Sequence, residues 1–139
     1  MLIVVDVNVI VSSLLSKGIA FDVFLLNDIF KKFDFVAPEY LLIELEKHKE
    51  ELLKETKLSK KEFNEVIKFL LDEITFIPSS KFSDKLSEAK SILSSHKKDI
   101  PYLALSLTLN SCPISSGDKK LKELSSVEVL SPRELLNKF

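Results

Sequence analysis

Apolar residues recur along the chain in two rhythms, and the alternation of the two predicts an α/β fold. Leu2-Ile3-Val4-Val5 is an unbroken, mostly β-branched run ended by Asp6. Runs of this kind belong to strands buried on both faces of a parallel sheet. Val9 to Leu15 reads as a helix leaving that strand, and between Ile19 and Phe33 the residues Phe21, Phe24, Leu25, Ile29 and Phe33 recur near helical spacing. Asp34-Phe35-Val36 is short enough only for a strand. Pro38 then stands where a first helical turn tolerates proline, and Leu41, Leu42, Leu45, Leu52 and Leu53 lie on one arc of a helix.

Ser59-Lys60-Lys61-Glu62 has the capping-box pattern, in which serine and glutamate satisfy each other's end of a first helical turn, and Phe63, Val66, Ile67, Leu70 and Leu71 follow as a stripe. Ile74 to Ile77 predicts a strand stopped by Pro78, and Leu86, Ala89, Ile92 and Leu93 the next helix. Ile100 to Leu109 is apolar nearly all round, as suits a helix in the middle of the molecule. Strands at Pro113 to Ser115 and Val127 to Leu130 flank a short helix from Lys119 to Leu124, and a second capping box, Ser131-Pro132-Arg133-Glu134, opens a last helix. Serine pairs at 79–80, 94–95, 115–116 and 125–126 read as loops. Strands alternating with helices predict a single three-layer α/β/α sandwich with a short central parallel sheet over residues 1–139.

Composition narrows the chemistry. The chain has 139 residues, 45% of them hydrophobic, enough for one core without staples. Cys112 is the only cysteine and His48 and His96 the only histidines, so a four-ligand zinc cluster is excluded and any metal must be held by oxygen. Gly18 and Gly117 are the only glycines, too few for Walker-type or dinucleotide phosphate loops. With 20 Lys and Arg against 21 Asp and Glu, bulk attraction to nucleic acid is not expected, although a local basic patch remains open. Met1 to Leu15 lacks a basic leader and is broken by Asp6 and Asn8, and no window reaches the roughly 20 apolar residues of a membrane span. A cytoplasmic protein without membrane contact is the expectation.

In an open parallel sheet, ligands bind beyond the carboxyl ends of the strands. Asp6 follows the first strand, Asp118 follows the fourth across Ser116-Gly117, Asp99 opens the buried helix, and Glu44 lies one turn into the helix after the second strand. Asp99 and Asp118 also stand where helix N-caps would, and Glu44 reads equally as a solvated flank of its leucine arc. Together the four make a stronger case. Carboxylates brought within a few Å repel and raise one another's pKa unless cations neutralise them, and an oxygen-only cage suits Mg²⁺ or Mn²⁺.

These residues resemble the sequence blocks of PIN-domain nucleases. Val4-Val5-Asp6-Val7-Asn8-Val9-Ile10 is similar to the opening block, Ala37-Pro38-Glu39-Tyr40-Leu41-Leu42-Ile43-Glu44-Leu45 to the second, Asp99-Ile100-Pro101-Tyr102-Leu103-Ala104-Leu105-Ser106-Leu107 to the third, and Pro113-Ile114-Ser115-Ser116-Gly117-Asp118-Lys119 to the fourth. The blocks occur in family order over nearly the whole chain. The resemblance implies a parallel α/β/α fold and metal-dependent hydrolysis of RNA, often by the toxin of a toxin–antitoxin pair, with a homodimer expected. It carries Asp6, Glu44, Asp99 and Asp118 into metal-binding and catalytic roles, with Asn8 and Ser116 as polar supports of the first and fourth acids. Val7 stands where a small residue or threonine is common, Gly117 where a larger residue often is, and His96, Lys97 and Lys98 where another acid often precedes the third.

The functional expectation is therefore an Mg²⁺- or Mn²⁺-dependent endoribonuclease. Lys97, Lys98, Lys119 and Lys120 are candidate phosphate contacts at the same rim. Two other readings stand beside it. One is a catalytically silent module of the same fold that binds RNA or a protein. The other is a haloacid-dehalogenase-type phosphatase, suggested by Asp6-Val7-Asn8-Val9 and opposed by Asn8, whose amide cannot transfer the proton required there.

Overall fold

A computed structural model describes residues 1–16 and 18–139. Five parallel strands, β1 (Leu2–Val5), β2 (Asp34–Pro38), β3 (Ile74–Ile77), β4 (Ile114–Ser115) and β5 (Val129–Leu130), form one sheet in the order β3-β2-β1-β4-β5. Among the described residues eight α-helices complete the α/β architecture: α1 (Val7–Ser16), α2 (Ile19–Phe30), α3 (Tyr40–Glu55), α4 (Lys60–Asp72), α5 (Leu86–Leu93), α6 (Ile100–Thr108), α7 (Lys119–Leu124) and α8 (Pro132–Leu136). Helices α1 to α4 pack in one group, joined by α8 against α2, while α5 packs on α6 and α7. No single helix among the described residues is long and apolar enough to cross a membrane.

The central strand is β1, and Ile3, Val4 and Val5 are fully buried. Each such side chain contributes about 1.5–3 kcal/mol of burial free energy, so this strand anchors the core. Helix α6 runs against β1, β2 and β4, and Tyr102, Leu103, Ala104, Leu105 and Ser106 are all buried, as an all-round apolar helix requires. Both capping boxes form, at Ser59 with Glu62 and at Ser131 with Glu134.

Several boundaries move. Helix α1 begins at Val7 rather than Val9, directly after Asp6, whose carbonyl already accepts the N–H of Val9. Helix α2 stops at Phe30 rather than Phe33, because Lys31 takes the left-handed conformation (φ 50°) that closes a helix. Phe33 is instead buried in the approach to β2, its backbone held by both polar atoms of Asn27. Pro38 closes β2 rather than opening a helix. It lies beyond the residues of β2 that register with β1, so its missing N–H takes nothing from that ladder. The last two strands are shorter than expected, starting at Ile114 and Val129. The serine pairs are not all loops: 79–80 lie in a 3₁₀ turn, Ser115 is in β4, and Ser116 is buried.

Candidate functional site

The strand order reverses between β1 and β4, and this is where the acids meet. Asp6 is the residue after β1, and its N–H donates to the carbonyl of Ser115 in β4 at 3.1 Å. Asp118 follows β4 by three residues. Asp99 ends a 3₁₀ turn (Lys97–Asp99) that leads into α6, and Glu44 sits in the second turn of α3. All four line one cleft of about 450 Å³. Four elements distant in sequence thus deliver one carboxylate each, and only the topology brings them together.

Ser116 ties two of them. Its hydroxyl donates to Asp6 Oδ2 at 2.8 Å and accepts the N–H of Asp118 at 3.0 Å. The first and fourth acids are thereby fixed relative to each other. Asn8 supports Asp6 through its backbone N–H, 3.4 Å from Oδ1, while its side chain is exposed at the cleft. The capping alternative divides: Asp118 caps α7, accepting the N–H groups of Lys120 (2.8 Å) and Leu121 (3.4 Å), whereas Asp99 makes no side-chain cap. Glu44 is half-buried rather than solvated, and the phenol of Tyr102 donates to its Oε1 at 2.6 Å. At Gly117 an added Cβ would meet nothing within 4 Å, so a larger residue would fit there.

The electrostatics follow from crowding. Asp6 is 2% exposed and Asp99 6%. Burial is the first cause that raises the pKa of Asp99, which a hydrogen bond with Asp118 and repulsion from Asp6, Asp118 and Glu44 push up to about 8. The same hydrogen bond holds Asp118 below the usual range, aided by the backbone N–H groups of Lys120 and Leu121. The two acids of this pair are thus shifted in opposite directions, Asp99 up and Asp118 down. Burial raises Asp6 against the opposing hydrogen bond from Ser116, and raises Glu44 against that from Tyr102.

This donor set, oxygen throughout, fits a hard divalent cation by its chemistry. Among the described residues, however, no three His, Cys, Asp or Glu side chains form a ready-made metal site. Ser116 occupies one oxygen of Asp6, and Asp99 and Asp118 are hydrogen-bonded to each other.

Basic groups stand at the mouth of the cleft. Lys97 and Lys98 line it, and so do His48 and His96, the chain's only histidines. Lys119 and Lys120 do not line it, and Lys120 faces Glu123 at 4.0 Å. The histidines and Tyr102 escape sequence reading, because an exposed helix face, a loop and an apolar helix each explain them without a site. Cys112 is buried and unpaired.

A family model described as PIN domain matches residues 4–134. Among solved structures, a chain of VapBC2 from Rickettsia felis, crystallised bound to a DNA fragment from their promoter, is similar with a TM-score of 0.70. The match covers 94% of this chain and 98% of that one at 14% sequence identity, so the likeness is one of fold. No curated protein matches significantly.

Proposed function

The chain belongs to the PIN-domain family, and from that premise we propose that it is an endoribonuclease dependent on Mg²⁺ or Mn²⁺. PIN domains are generally nucleases that use divalent metals. The observation that carries the reading is the convergence of Asp6, Glu44, Asp99 and Asp118, from four elements, on one cleft where the strand order reverses. Asp6, Asp99 and Asp118 would hold the cation, and Glu44 would ligate or orient the attacking water. A bound cation of this kind supplies Lewis acidity and water of lowered pKa. Ser116 keeps Asp6 and Asp118 in register. Lys97 and Lys98 meet phosphates at the mouth of the cleft, to which the exposed His48 side chain adds a polar face.

The biological setting proposed is a cytoplasmic toxin paired with an antitoxin protein, acting as a homodimer. The pairing with an antitoxin is supported by the fold shared with a chain of a VapBC complex. The second reading, a silent module that binds RNA or protein, draws on the lack of a ready-made three-ligand group among the described residues. One experiment separates the two. Single-stranded RNA incubated with the protein is expected to be cleaved with Mn²⁺ or Mg²⁺, poorly with Ca²⁺, and not in EDTA or by Asp118→Asn. Absence of cleavage of mixed RNA under Mn²⁺ transfers the reading to the binding module.

A further inference from the structure

We propose that Tyr102 is a positioning residue for Glu44: its phenol holds one carboxylate oxygen so that the other is presented to the cleft. The inference rests on the endoribonuclease reading for the role of Glu44, but on geometry for the contact. The two residues are 58 positions apart, on α6 and α3, and their 2.6 Å hydrogen bond has the length of a charge-assisted bond from a hydroxyl to a carboxylate. Tyr102 is 1% exposed, so its ring is fixed by the core and its hydroxyl cannot wander. Glutamate, by contrast, has three side-chain torsions to order, and a solvated one would spread over many rotamers. The phenol selects one arrangement. Glu44 Oε2 has no protein hydrogen-bond partner among the described residues, and the residue lines the cleft.

The surrounding elements reinforce the contact. Tyr102 lies three residues after Asp99, on the same face of α6 one turn along. One helix therefore sets two of the four acids, the first from its own N-terminus and the second through the phenol. Tyr40, four residues before Glu44 on α3, places its ring edge against that of Tyr102 with centroids 6.5 Å apart, so α3 and α6 are braced where the hydrogen bond forms.

The competing account is that Glu44 merely satisfies a buried phenol. Tyr102→Phe removes one oxygen atom and keeps the ring, so a cycle of wild type, Tyr102→Phe, Glu44→Gln and the double variant distinguishes them. Mn²⁺ affinity is read by calorimetry, RNA cleavage as kcat and KM separately, and folding by thermal melts without metal. Tyr102→Phe is expected to weaken Mn²⁺ binding several-fold and to lower kcat about 10-fold at unchanged KM. In the Glu44→Gln background it should change neither. An equal loss in both backgrounds, unchanged Mn²⁺ affinity, or a Tyr102→Phe protein without a cooperative melt would overturn the proposal. Wild type that binds Mn²⁺ but cleaves no RNA overturns the endoribonuclease reading alone, with the calorimetric cycle still deciding on Tyr102. Wild type that binds no Mn²⁺ overturns both.

Discussion

The two edges of the sheet treat buried polar groups in opposite ways. At the edge where the strands begin, Asn27 is 3% exposed and fully employed: its Nδ2 donates to the carbonyl of Phe33 at 3.0 Å and its Oδ1 accepts the N–H of Phe33 at 2.8 Å. Around it Phe33 packs against Phe35 and Phe139, and Phe35 against Phe24. At the edge where the strands end, Asp6 and Asp99 are as deeply buried, yet both are held away from their ordinary ionisation. At the first, Asn27 meets the backbone of Phe33 with both its polar atoms; at the second, buried carboxylates crowd one another. The first is organised for stability, and the second carries a cost that a cation would offset.

That contrast has measurable consequences. Asp6→Asn should lower RNA cleavage on the order of 10³-fold while the melting temperature stays level or rises, because it removes repulsion at constant volume. A large loss of melting temperature would instead make Asp6 a structural hydrogen-bond acceptor for Ser116. Asn27→Ala should do the reverse. Stranding the N–H and the carbonyl of Phe33 costs about 3 kcal/mol, read in urea unfolding, while kcat per folded molecule is retained.

A pH series tests the acidic edge alone. Asp99 is raised from 3.8 to about 8 in the folded protein, so the native state holds a proton that the unfolded chain releases across that window. Its contribution to stability is full below pH 3.8 and is lost as pH rises through about 8. The metal-free melting temperature should therefore fall by a few degrees over the upper part of that window, and Asp99→Asn or added Mn²⁺ should flatten the slope. A smaller effect is expected at Ser115, whose buried hydroxyl has no hydrogen-bond partner. Ser115→Ala should be neutral or stabilise by up to about 1 kcal/mol in the same unfolding assay.

Periodicity made much of this architecture legible. The β-branched run before Asp6, the stripe behind Ser59 and the box at Ser131 each announce an element whose local preference agrees with its tertiary place. The acids were legible because strand ends and helix starts are. What escaped depends on contacts that no local window contains. Pro38 reads as a helix opener until β3 is seen to register with it, and Phe33 as a helical residue until Asn27 claims its backbone. Tyr102 looks like one more core residue in an apolar helix, since its polar partner lies 58 residues away. Ser116 is marked by family resemblance alone, and its hydroxyl bond to Asp6 is invisible to pattern because it joins residues 110 positions apart.

That bond also sets a schedule. Asp6 leaves the ribosome 110 positions ahead of Ser116, so β1 waits for β4 while the intervening chain is made. Parallel pairing over such a separation is slow, since loop closure is spent before any contact repays it. A nascent chain that has reached β3 already owns Asp6 and Glu44 but has neither Asp99 nor Asp118, and β1 still has an open edge where β4 will dock. The cleft is completed only once Asp118 has been made, which makes the order of synthesis itself a safeguard: products interrupted before that residue carry no assembled site.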